Sequence, residues 1–235
     1  MNKLLISIYL LLLSVSLFAK IPAHEVQALT DLYQATHGES WTKNWDLDKI
    51  NEGLSGITIE DDHVVSINLM FNNLQGTLPT SLSTLTELRV LELSFNQLNG
   101  SLPASLGDLQ KLEVLALNGN DLQGSIPSSY GNMKNLIQLH LSSNKLDGNL
   151  PESLSNLAAI EVFNVFDNDF SGPIPEGIAK NRKLRELMIA ENRFDFSDDV
   201  SPVLLSKSGQ LNLNDNPTVP ASKTVIAKEE SDDEN

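Results

Sequence analysis

The side chains that could do chemistry are few and scattered. Four histidines, His24, His37, His63 and His140, are the groups that titrate nearest neutrality. They fall in different segments, and none has a second histidine or a carboxylate at metal-ligand spacing. The chain has no cysteine, which removes disulfides, thiolate metal sites, a cysteine nucleophile and a lipid-anchored cysteine. A Gly-x-Ser-x-Gly elbow and a phosphate-cradling Gly-Lys-Ser/Thr loop are both missing. Asp61-Asp62 reads as a solvated turn. Asp167-Asn168-Asp169 has part of a calcium-loop pattern, but its asparagine belongs to a repeat. Asn99-Gly100-Ser101 is a glycosylation sequon and reads as turn chemistry. No catalytic residue, no metal site and no cofactor is therefore expected. The chemistry open to the chain is recognition.

The elements that would position a recognition surface follow from one asparagine. It recurs at Asn72, Asn96, Asn120, Asn144, Asn168, Asn192 and Asn216, each 24 residues beyond the last. Around it the frame is L-x-L-x-x-N-x-L-x-G-x-(L/I)-P, as in Leu91, Leu93, Asn96, Leu98, Gly100, Leu102 and Pro103. Leu91 and Leu93 are two apart, so on a strand they share one face. One coil cannot bury its own leucines, but stacked coils share a continuous core. The asparagine amides are then placed to satisfy backbone groups where each strand turns away. Gly100 and its equivalents supply positive φ or close approach, and Pro103 and its equivalents preset the next bend. Segments such as 104–109 should return across the back as short helical turns.

This frame resembles the leucine-rich repeat, in its 24-residue plant-type subclass. The resemblance implies an α/β fold: a right-handed solenoid with a parallel concave β-sheet and a helical N-terminal cap. It also implies a non-catalytic protein that binds other proteins. Residues 64–217 form the repeat domain of about seven coils, and the pattern decays at Phe196 and Asp199, where glycine and proline are expected.

Residues 20–63 read as the cap. Val26, Leu29, Leu32 and Tyr33 fall at helical spacing, which predicts a helix over 23–35 with Gly38 as its terminator. Trp41 and Trp45 should cover the first coil. Ile57 and Ile59 predict a strand, and 60–63 a turn into the first repeat strand. The stretch from Ala28 to Trp41 is similar to the caps of bacterial secreted leucine-rich repeat proteins. Plant relatives usually cap with paired cysteines, so their absence favours a bacterial source.

Before the cap, Lys3 precedes an apolar run from Leu4 to Phe18 with Ala19 as a small cleavage residue, so 1–19 reads as a signal peptide. That run is roughly 15 residues, short of the ~20 that span a bilayer. No membrane span is expected after cleavage, and the product should be exported to the periplasm, cell surface or medium as a monomer. The acidic tail at 218–235 should be disordered. A formal charge of −15 argues against nucleic acid as a partner.

Side chains between the core leucines should project from the concave sheet. The candidate contact residues there are Met70, Phe71, Val90, Glu92, Phe95, Val114, His140 and Phe166. Early coils carry the apolar ones, and later coils carry Asp167, Glu186, Glu191 and Asp215. Phe71 and Phe95 should stack one coil apart. The expected function is a secreted or envelope binding module for a protein, with a glycan as the other ligand class. The competing expectation is a structural spacer without a specific ligand.

Overall fold

The computed structural model describes residues 21–195. The signal-peptide segment 1–19, the tail 218–235, the seventh coil with Asn216, and Phe196 and Asp199 lie outside the described residues.

Helix α1 (Ala23–Ala35) opens the fold. Ala28, Leu29 and Leu32 are fully buried on its inner face, while Val26 and Tyr33 pack at the margin. Tyr33, Trp41 and Trp45 form an edge-and-stack cluster with ring centroids 4.7 to 6.4 Å apart. Both tryptophans are buried, and their indole N–H groups donate to Thr36 O and Ser55 O, each at 2.9 Å. The aromatic group thus closes the open end of the solenoid, where the first coil has no preceding coil to lie on.

Gly38 does not terminate α1 as expected. His37 takes the left-handed turn, at φ 54°. Gly38 is needed for a different reason: a Cβ there would overlap the Tyr33 ring. The turn after β1 (Ile57–Glu60) is also tighter than the sequence implied. Asp61 and Asp62 make it alone, both at positive φ, which aspartate tolerates. His63 already belongs to β2 (His63–Asn68), which pairs antiparallel with β1.

From β2 the chain winds as a solenoid. The main sheet continues with β4 (Val90–Glu92), β6 (Val114–Ala116), β8 (Gln138–His140), β10 (Val162–Asn164) and β12 (Glu186–Met188). It has seven strands in the order β1-β2-β4-β6-β8-β10-β12, parallel from β2 onward. Equivalent positions pair directly, as in Leu91 with Leu115 and Leu115 with Leu139. The inward leucines therefore form rows, and one unbroken core runs from Ile21 to Phe194.

A second parallel sheet was not anticipated. It is built by β3 (Gln75–Thr77), β5 (Gln97–Gly100), β7 (Asp121–Gly124), β9 (Lys145–Asn149), β11 (Asp169–Gly172) and β13 (Arg193–Phe194). Four of these strands contain the x-(L/F)-x-G stretch just after the asparagine, while β3 starts after its leucine and β13 stops at its phenylalanine. At most one large apolar residue per strand is too short a pattern to announce a strand by alternation. The back of each coil is the expected helical turn: 3₁₀ at Thr80–Thr84, Ala104–Asp108, Ser128–Asn132 and Glu152–Asn156, and α2 at Glu176–Ala179.

The candidate recognition face

The backbone that carries this face is held by the asparagine ladder. Asn120 shows the pattern. Its Nδ2 donates to Leu117 O of its own coil at 2.9 Å and to Leu93 O of the coil before at 3.2 Å. Its Oδ1 accepts Leu98 N–H at 3.0 Å. Asn96, Asn144, Asn168 and Asn192 repeat the same bonds. Asn72 has no earlier coil, so its amide joins the cap instead, bonding Lys43 N–H and Lys43 O.

Immediately before each ladder residue the backbone enters the left-handed region. The six residues there are Phe71, Phe95, Gly119, Ser143, Asp167 and Glu191, with φ between 52° and 65°. Backbone bonds clamp them in place: Phe71 N–H donates to Ser94 O, and Phe95 N–H to Asn118 O. Glycine suits this conformation, and for a bulky residue it is an outlier that costs free energy. Phe71 and Phe95 occupy it nonetheless.

Those two rings stack, with centroids 4.6 Å apart and an interplanar angle of 3°. The far face of Phe95 lies over Gly119, where a Cβ would sit 2.7 Å from the ring. Phe71 is 64% exposed, Phe95 46% and the adjoining Met70 38%; they are the exposed large hydrophobic residues of the described chain. Val90 and Val114 stand half-buried one strand apart on the same face. Phe166 is half-buried three coils beyond Phe95 and takes no part in the stack.

Some outward positions are not surface at all. Ser94, Ala116 and Ala190 are buried. They are small side chains, overgrown by larger neighbours. The Ser94 hydroxyl donates to Asn118 Oδ1 at 2.6 Å, so Asn118 is tied into the sheet and is not the free outward residue its position suggested.

Glu92 is half-buried, and its Oε1 accepts Ser94 N–H at 2.9 Å. His140 lies mid-face, within 3.3 Å of Gln138 Oε1. Burial holds its pKa below the ordinary histidine value, against the opposing pull of Glu186 and Glu92. At pH 7 the imidazole is therefore neutral.

One part-buried histidine–carboxylate contact lay beyond sequence reasoning. Glu25 is fully buried beneath the cap. Its carboxylate lies 2.6 Å from His63 Nδ1 and accepts Val64 N–H at 2.7 Å. This hydrogen bond raises the His63 pKa. The two residues are 38 apart in sequence, with no motif to connect them. The pair joins the cap to the first strand and lies apart from the candidate face. Among the described residues no group of three or more histidine, aspartate or glutamate side chains is placed to hold a metal ion. No helix among them is long and apolar enough to cross a membrane.

Comparison with known proteins agrees with this architecture. The family model for the leucine-rich repeat region matches residues 63–212. The ectodomain of the receptor kinase SOBIR1 from Arabidopsis thaliana is 30% identical, with a TM-score of 0.65. That match covers 75% of this chain and 97% of the ectodomain. A chain of the BIR3–SERK2 complex from Arabidopsis thaliana is also 30% identical, with a TM-score of 0.64 over 74% of this chain and 96% of its own. The PEPR1–AtPEP1 structure matches at 31% identity and a TM-score of 0.67 over 72% of this chain. Here the chain spans only 25% of that protein's length. Comparison with curated proteins gives no significant match. The Arabidopsis relatives lend no support to the bacterial source expected from the missing cap cysteines.

Proposed function

Because the chain belongs to the leucine-rich repeat family, we propose that it is an exported, non-catalytic binding module that takes a protein partner on the open face of its seven-stranded sheet. The observation that carries this is the Phe71–Phe95 stack. Two large apolar rings stand exposed on a backbone conformation that disfavours them. A fold selected for stability alone would place glycine or asparagine there, as coil three does with Gly119. Exposed apolar clusters of this kind mark contact surfaces, and interface cores are rich in aromatics and methionine. Met70, Val90 and Val114 extend the patch, while Glu92, His140 and Phe166 line its continuation.

A protein suits this surface better than a glycan. Sugars stack on open ring faces, but these rings cover one another, and Phe95 also covers Gly119. What the pair offers is ring edges and one outer face, which an aliphatic or aromatic side chain can fill. The relatives point the same way, since BIR3 and SERK2 form a complex with each other.

The test is retention of a partner from the surface extract and medium of the source cells. Native protein should hold it through a high-salt wash, because apolar contact is not screened. The double substitution Phe71→Ala with Phe95→Ala should release it while the denaturation curve stays cooperative. Retention undiminished in a folded double variant would remove this assignment.

A further inference from the structure

The charge pattern of the same face goes further. Its outward positions lie six, four, two and one before each ladder asparagine. Through the described coils they hold Glu92, Asp167, Glu186 and Glu191, and not one of the chain's 16 lysines and arginines. Elsewhere in the described solenoid four acids meet a cation of the next coil. Glu87 pairs with Lys111, Asp121 with Lys145, Glu161 with Arg185 and Asp169 with Arg193. On this face no lysine or arginine stands at the equivalent outward positions of the neighbouring described coil. His140 is its one group able to become a cation, and burial keeps it neutral at pH 7. The face is also ordered along the axis. Met70, Phe71 and Phe95 occupy its first two coils, beside Glu92, and Asp167, Glu186 and Glu191 the last two described coils, beside Phe166.

Resting on the binding reading above, we infer that the partner presents an extended, cationic protein segment, lying along the stack with an apolar side chain over Phe71 and Phe95 and its lysines or arginines against Asp167 and Glu191. Complementary potentials of this kind set specificity and association rate, with an apolar centre supplying the anchor. Its length follows from the geometry. Parallel strands are about 4.8 Å apart, so five steps from the coil of Phe71 to that of Glu191 span roughly 24 Å. The nearer pair, Phe95 and Asp167, is three steps or roughly 14 Å apart, and an extended chain advances about 3.3 Å per residue, so roughly four to seven residues separate anchor and charges. An anionic polymer would be repelled along the same path.

The probes are labelled synthetic peptides with Leu-Phe separated from Lys-Arg-Lys by Gly-Ser spacers, in both chain orders, and their counterparts with Glu-Glu-Glu. Fluorescence anisotropy against the full chain reads binding at low and at moderate salt. The lysine-arginine peptide should bind in at least one order, and the glutamate peptide in neither. Asp167→Asn with Glu191→Gln should weaken binding about tenfold at low salt and less at higher salt. Asp108→Asn with Asp147→Asn, the same charge change away from this face, should leave it unchanged. Equal weakening in both pairs would mean general attraction to an acidic protein, and would overturn the inference. So would failure of every cationic peptide to bind. If Phe71→Ala with Phe95→Ala releases the natural partner while Asp167→Asn with Glu191→Gln does not, the binding reading stands and the cationic segment falls.

Discussion

At the scale of single residues, asparagine and phenylalanine do opposite things within two positions of each other. Asn120 satisfies Leu98 N–H, Leu93 O and Leu117 O, none of which has water as a ready substitute inside the stack. Asn120→Ala strips all three, and its expected cost is about 1–3 kcal/mol in chemical denaturation. Ser142→Ala, at an outward position of the next coil, should cost less than about 0.5 kcal/mol. Asn118 cannot serve as that control, because it accepts the buried Ser94 hydroxyl. Phe71 is different, since its φ of 53° works against its side chain. Phe71→Asn relieves strain of order 1 kcal/mol but loses a ring stack of about 0.5–1.5 kcal/mol. The two nearly cancel, so stability should move by less than about 1 kcal/mol while partner retention falls. A large loss of stability would show that the ring belongs to the fold rather than to a ligand.

At the scale of elements, a part-buried titratable contact helps to join the cap helix to the first repeat strand, beside the exposed Arg89–Glu60 pair. Glu25 of α1 reaches His63 and Val64 at the start of β2. Glu87 and Asp62 add their fields at His63, and the His24 imidazole lies 4.0 Å from the same Glu25 oxygen. All these carboxylates favour the imidazolium, so the folded-state pKa of His63 lies above its unfolded value near 6.5. A raised pKa means the folded state binds the proton more tightly. The resulting stability is complete below the unfolded pKa and drains away as pH rises through the folded one. Thermal midpoints should therefore decline from pH 6 into the mildly alkaline range, and His63→Gln should flatten that decline. An unchanged pH slope in the variant would assign the effect to other groups.

At the scale of the whole molecule, stability is a chain of nearest-neighbour interfaces, and the backs of the coils limit how closely they pack. Gly107 and Gly131 sit on that back, and a Cβ on either would overlap the backbone carbonyl of Ser129 or Ser153 in the next coil. The serine hydroxyls bind the coils together there: Ser129 donates to Ala104 O at 2.6 Å and Ser153 to Ser128 O at 2.7 Å. Gly→Ala in a helical turn ordinarily stabilises by about 0.4–1 kcal/mol. Gly131→Ala should do the reverse, costing about 1–3 kcal/mol, because a backbone oxygen can yield only by opening the stack. Neutral or raised stability by calorimetry would show that the coil spacing is slack.

The period of 24 was enough to determine the solenoid, the buried leucine rows, the ladder and the stacking of Phe71 on Phe95. The reason is that every coil meets its neighbour at the same register, so contacts between coils are written as repetition along the chain. The α1 boundaries were legible for a similar reason, since helical spacing is local. Contacts made once, between unlike segments, were decided only in three dimensions. Nothing near Glu25 announces His63, and nothing at Gly38 reveals that it serves the Tyr33 ring while His37 makes the turn. The second sheet was hidden because its strands bury at most one side chain each. The true surface of the proposed recognition face was also tertiary. Position alone treats Ser94, Ala116 and Phe95 alike, but burial depends on the size of the side chains around them, and only the folded stack leaves the phenylalanine exposed.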